Sequence, residues 1–166
     1  DRKWQLNFLP KKYLDEGTFY YQNLTSRAKQ ANEIRPFFEN DSTLDVAYAQ
    51  QGFTSTLGHP FMAFEPFAMG LNNQKEWKNK IKRIEASRID ENNSYIFVDS
   101  IKQIDEKLKI FLTSKPDVAK IYLLDVDNQI SNQFNGKTGH YGLSKVVAKQ
   151  LVKKLKENGL TVYAHI

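Results

Sequence analysis

The amino-acid sequence predicts an α/β fold, a mostly parallel sheet with flanking helices. Three observations carry that expectation. From Ser94 to Ile166, apolar strand-like runs alternate with segments of helical periodicity. The run Val118–Leu124 is of the near-continuous apolar kind found in strands whose sheet is covered on both faces by helices. The connections between these segments are short, and strand–helix–strand units of that kind close as right-handed parallel arrangements.

Each element has its own signal. The first 57 residues mix aromatic and polar side chains with poor periodicity, so short helices and a hairpin or loop are expected there. A helix from Thr25 to Glu33 should stop before Pro36, because proline disfavours the helical conformation in the residue ahead of it. Ser42 or Thr43 can cap a second short helix running to Gln51 and ending at Gly52. Gly52–Gly58 reads as a hydroxyl-rich loop holding Thr54, Ser55 and Thr56, and Phe61–Phe64 as a short buried strand that places Glu65 at its tip. A basic amphipathic helix follows over Gln74–Ile84, with Trp77, Ile81 and Ile84 on one side.

Tyr95–Val98 is the next strand. Ile101, Ile104, Leu108 and Phe111 then mark one face of a helix capped near Ser100 and ended by Pro116 and Asp117. After the Val118–Leu124 strand comes a polar loop with Gly136 and Gly139. A helix over Tyr141–Glu157 follows, its inner stripe Leu143, Val147, Leu151 and Leu155, and Gly159 ends it before a last strand, Leu160–His165.

Composition bounds the function classes. A chain of 166 residues with 40% hydrophobic content can bury one good-sized core. No run approaches the ~18 apolar residues of a membrane span, so a soluble protein without a membrane partner is expected. The absence of cysteine excludes a disulfide framework and a thiolate zinc site. That fits a cytoplasmic protein, though secreted chains without cysteine are also common. The sequence opens at Asp1, not at a methionine, and reads as a processed chain or a piece of a longer one. A net charge of +5 favours polyanions where lysines gather on one face. They partly do: Lys145, Lys149, Lys153, Lys154 and Lys156 lie within one expected helix, and Lys75, Lys78, Lys80, Lys82 and Arg83 form a second basic run, each of which is read either as a nucleic-acid track or as an ordinary solvated helix face.

Ligands of parallel sheets bind off the carboxyl ends of the strands, where Asp125 and Asp127 stand. Where a strand gives way to a loop, both carboxylates can turn toward one ion, and such hard oxygen donors suit magnesium together with substrate phosphates. Glu65 is the natural third acid, and Asp99, after the Tyr95–Val98 strand, would share the sheet edge. His140, between the aspartates and the following helix, is placed to carry a proton near a bound phosphate. Gly136-Lys-Thr138 lacks the upstream glycine of a P-loop, and Tyr141 with Lys145 lacks a dinucleotide-binding glycine run.

The order and spacing of Phe64-Glu-Pro-Phe-Ala-Met-Gly70, Ile121-Tyr-Leu-Leu-Asp-Val-Asp-Asn128 and Leu160-Thr-Val-Tyr163 resemble the topoisomerase–primase (Toprim) family, specifically its domains in primases and related proteins of plasmids and mobile elements. The resemblance covers about Leu57 to Ile166. It says nothing about residues 1–56; together with the poor periodicity of the first 57 residues, it gives an irregular helical or loop extension, 1–57, packed on a Toprim-like, Rossmann-like α/β domain, 58–166. It implies that Glu65 serves as general acid or base in nucleotidyl transfer or strand cleavage. By the same resemblance Asp125 and Asp127 hold Mg2+ and the partner is nucleic acid, in a DNA-replication setting; the clustering of charge makes Lys145, Lys149 and Lys153 candidate contacts to its phosphates. Pro66 replaces the glycine usual after the glutamate, and the loop after Asp127 lacks the usual Ala-Gly.

Two readings from other classes stand beside this one. Asp-x-Asp after an apolar strand also occurs in sugar-nucleotide transferases, and strand-end acid pairs serve in glycosidases, which gives a carbohydrate-active domain. In the other, the aspartates are structural and the aromatic amino-terminal segment is the binding surface of a non-catalytic interaction or toxin-like module.

Overall fold

In a computed structural model of the chain, the described residues are 2–24, 26–39, 44–55, 79, 94–123 and 142–166. They form α1 (Arg2–Asp15), β1 (Tyr20–Asn23), α2 (Ala28–Glu39), β2 (Asp45–Tyr48), β3 (Gly52–Thr54), β4 (Tyr95–Phe97), a 3-10 turn (Ile101–Gln103), α3 (Ile104–Thr113), β5 (Val118–Tyr122), α4 (Lys145–Glu157) and β6 (Thr161–His165). Every strand pairing among them is parallel. The α/β, mostly parallel architecture expected from the sequence is therefore present. No helix among the described residues is long and apolar enough to cross a membrane.

The main sheet has the order β4-β3-β5-β6. Phe53, Ile96, Ala119 and Ile121 project from one face into a core completed by Ile104, Leu108 and Phe111 of α3 and by Val147, Leu151 and Leu155 of α4. Both helices thus cover the same face. Each fully buried leucine of that stripe contributes about 1.5–3 kcal/mol relative to exposure. Phe53 and Phe111 meet edge to face, centroids 4.7 Å apart. Phe97 and Tyr122, of opposite parity in their strands, are buried as well, so neither face of the sheet is open there.

β1 and β2 form a separate parallel pair with α2 as the crossover between them. The pair is tied to the main sheet through Asp117, just before β5: its carboxylate accepts from the Tyr48 backbone N–H at 2.9 Å, and its own N–H donates to the Tyr48 carbonyl at 2.9 Å. Between β2 and β3 the chain bends at Gln50, which is buried and adopts φ 57°. Left-handed backbone at a non-glycine residue costs roughly 1–2 kcal/mol. Here it is held by two hydrogen bonds, from Ser26 N–H to the Gln50 carbonyl at 2.8 Å and from Gln50 Nε2 to the Ser114 carbonyl at 3.1 Å.

The amino-terminal region departs from expectation in three places. α2 runs through Pro36 to Glu39 and does not stop before the proline. Proline removes one helix donor there, and Arg35 and Phe38 anchor the turn on either side of it. Asp45–Tyr48 is a strand where a short capped helix to Gln51 was expected; its alternation is masked because Ala47 and Tyr48 are both buried. Gly52–Thr54, expected as loop, is a strand pairing with both β4 and β5. A Cβ at Gly52 would lie 2.5 Å from Cε2 of Tyr122, so glycine lets that ring cross the middle of the sheet.

Candidate functional site at the carboxyl edge of the sheet

From β3 the chain passes to β4 on one side and then returns across β3 to β5 on the other. The direction of connection therefore reverses between β3 and β5. In open parallel sheets the crevice beyond the carboxyl ends of two such strands is where ligands bind. β3 exits through Ser55, whose Oγ is buried and has no hydrogen-bond partner among the described residues. β4 exits through Val98, whose N–H donates to the Thr54 carbonyl at 2.8 Å, and then Asp99. β5 exits through Leu123, whose N–H donates to the His165 carbonyl at 2.8 Å.

Asp99 is exposed at this edge. Its backbone N–H and that of Ser100 both donate to Gln103 Oε1, at 2.8 and 3.1 Å, which fixes the turn leading into α3. The expected capping near Ser100 is thus found, with Gln103 supplying the acceptor.

α4 begins at the same edge. Leu143 N–H donates to the Tyr122 carbonyl at 2.9 Å, and Gly142, at φ 86°, sits so close that a Cβ would lie 2.5 Å from that oxygen. Ser144 is extended and its Oγ accepts from Val147 N–H at 3.4 Å, so the helix starts at Lys145, four residues later than expected. Helix start and strand end are held side by side. The positive end of the α4 dipole therefore lies at the carboxyl edge, where it favours an anion.

Lys145, Lys149 and Lys153 are exposed and succeed one another at four-residue steps, about 6 Å apart along α4. They make one lysine stripe that starts beside the end of β5. Lys153 reaches Glu157 at 3.8 Å, whereas Lys154, off the stripe, pairs with Asp105 of α3 at 3.0 Å. That hydrogen bond to Asp105 raises the Lys154 pKa.

Neither a family model nor a curated protein matches the chain.

Glu65, Asp125, Asp127 and His140 lie outside the described residues, as do the Phe61–Phe64 strand and, apart from Asn79, the basic Gln74–Ile84 segment. Among the described residues no group of three histidine or acidic side chains could hold a metal ion. Of the expected site residues, the structure places Asp99 and Lys145 at the same edge, with Lys149 and Lys153 leading away from it. Ser55 and Gly142 also belong to this edge. The sequence marks Ser55, with Thr54 and Thr56, as a hydroxyl that could contact a substrate phosphate or serve a turn or cap, whereas nothing local to Gly142 foretells its contact with Tyr122.

Proposed function

We propose that the chain is a magnesium-dependent domain acting on nucleic acid, with its site at the carboxyl ends of β3 and β5. The observation that carries this reading is the meeting of three features at one edge: the reversal between β3 and β5, the start of α4, and the exposed lysine stripe. The sequence supplies the acids. Asp125 and Asp127 follow Leu123 by two and four residues, and His140 precedes Gly142 by two.

The donor set suits magnesium: two carboxylates offer hard oxygen ligands and leave positions for water and phosphate oxygens. When bound, the ion would neutralise charge on a phosphoryl group in nucleotidyl transfer or strand cleavage. The chain's own residues have separate tasks. Asp125 and Asp127 hold the ion, the α4 amino terminus and Lys145 attract phosphate, and Lys149 and Lys153 track the backbone beyond it. Glu65 exchanges a proton with the attacking or leaving oxygen, and His140 is an accessory proton carrier. Asp99 adds negative charge at the neighbouring strand end. This assignment of acids follows the Toprim resemblance.

The test is a DNA nicking and nucleotidyl-transfer assay with and without magnesium on the wild type, Asp125→Asn and Glu65→Gln. Magnesium-dependent turnover that both substitutions abolish supports the reading. Magnesium-independent turnover, or full activity in Asp125→Asn, contradicts it.

One observation favours the interaction-module reading. Phe19, Tyr20 and Tyr21 are consecutive and all exposed, Phe19 at 65%, and Tyr21 stacks on Tyr13 with centroids 5.5 Å apart. Exposed aromatic clusters of this kind serve as anchors in protein interfaces.

A further inference from the structure

Away from the carboxyl edge, residues of β1, α2, β2 and the start of β5 line an open cavity of about 570 Å3, within the ~300–1,000 Å3 typical of small-ligand sites. Its floor is apolar, built from the buried side chains of Phe38, Leu44 and Val118. Its lining is charged and unbalanced: three acidic residues, Glu39, Asp45 and Asp117, stand against one basic residue, Arg35, which pairs with Glu39 and Asp117.

The guanidinium is already committed. Arg35 Nη2 meets Asp117 Oδ2 at 2.9 Å, Nη1 meets Glu39 Oε1 at 3.1 Å, and Cζ lies 4.7 Å from the centre of the Tyr48 ring. An anion entering the cavity would have to displace two carboxylates to reach it. Two negative groups remain for a ligand. Asp45 is exposed and forms no ion pair among the described residues, and Glu39 keeps one oxygen clear of Arg35. Tyr20 lines the same wall with 49% of its surface exposed. Its Oη accepts from Gln22 Nε2 at 2.9 Å, which holds the ring in place. An ammonium group is attracted both by such a ring face and by the nearby carboxylates.

We propose that this cavity binds an aliphatic diamine or polyamine. One ammonium group pairs with Asp45 beside Tyr20, the other with the clear oxygen of Glu39, and the methylene chain lies on the floor of Phe38, Leu44 and Val118. The local charge is opposite in sign to the net +5 of the chain. The ligand class of this site is therefore opposite to that of the lysine stripe.

The probe is pentamethylenediamine, titrated calorimetrically into the full chain, with pentanoate and an N-acetyl-lysine amide as comparison ligands. Saturable diamine binding is expected, weakened roughly tenfold or more by Asp45→Asn and by Glu39→Gln, and weakened again as salt is raised from about 50 to about 300 mM. Asp45 is exposed, so the thermal midpoint of Asp45→Asn should match the wild type and exclude a folding defect. No saturable binding up to about 10 mM, or equal affinity in Asp45→Asn, overturns the proposal. Binding of pentanoate as tight as the diamine overturns its charge assignment, and equal binding of the lysine amide overturns the two-cation assignment.

Discussion

The backbone N–H of Leu143 donates to the carbonyl of Tyr122 at 2.9 Å. The end of β5 and the start of α4 therefore meet at one point, and the sequence between them contains Asp125, Asp127 and His140. That backbone contact joins the strand that precedes the acids in sequence to the helix that carries the lysine stripe.

Gly142 makes that contact sterically feasible, and Gly159 provides its control. Both have positive φ, 86° and 78°, but a Cβ at Gly142 meets the Tyr122 carbonyl at 2.5 Å whereas one at Gly159 meets nothing within 4 Å among the described residues. Gly159→Ala should cost only the left-handed penalty of about 1–2 kcal/mol. Gly142→Ala adds an overlap with backbone that cannot rotate away, for a total of about 2–4 kcal/mol. Urea denaturation of the two variants measures the difference, and equal destabilisation would show that the close approach at Gly142 carries no energetic weight.

The lysine stripe should act on affinity and not on stability. Replacing Lys145, Lys149 and Lys153 together by alanine removes exposed charges, so the unfolding free energy should move by less than about 1 kcal/mol. The slope of log affinity for DNA against log salt should fall by roughly 2–3, close to one for each phosphate that the lysines no longer neutralise. Lys154→Ala, off the stripe and already paired to Asp105, should leave that slope near the wild-type value. A triple variant with an unchanged slope would show that the stripe is an ordinary solvated helix face.

Tyr48 gives an alkaline signature. Its ring is buried beneath Arg35, its Oη has no hydrogen-bond partner among the described residues, and burial pushes its pKa up from 10.0 to about 12. The unfolded chain loses this proton near its ordinary pKa and the folded chain only near the raised one. The unfolded state therefore binds fewer protons between the two values, and stability falls as pH rises through that window. Tyr48→Phe removes both the buried hydroxyl and the titration. It should change stability by less than about 1 kcal/mol at neutral pH. Its advantage over the wild type should then grow by about 1.4 kcal/mol per pH unit within the window. Parallel stability curves for the two proteins from neutral to alkaline pH would contradict this assignment.

The legible part of the fold was the part with clean periodicity. Leu108, Phe111, Val147, Leu151 and Leu155 recur at helical steps because α3 and α4 each bury one side, and Val118–Tyr122 is strand because it is buried for almost its whole length. β3 was illegible for the opposite reason. It has three residues, opens with glycine and ends in a hydroxyl, and its central position comes from Tyr122, seventy residues away in sequence, filling the space over Gly52. β2 was masked by Ala47 and Tyr48, buried together through contacts with Val118 and Asp117. At the site, the strand ends and the stripe of Lys145, Lys149 and Lys153 followed from local patterns, whereas the reversal between β3 and β5 is a property of strand order alone.

If the carboxyl edge binds magnesium through Asp125 and Asp127 in support of nucleic-acid chemistry, metal binding must depend on those two carboxylates. The decisive experiment titrates magnesium into the wild type and the Asp125→Asn, Asp127→Asn double variant, each with and without short DNA. Wild-type binding should tighten when DNA is present and disappear in the double variant. Binding unchanged by the two substitutions, or no binding by the wild type with or without DNA, would contradict the proposed function.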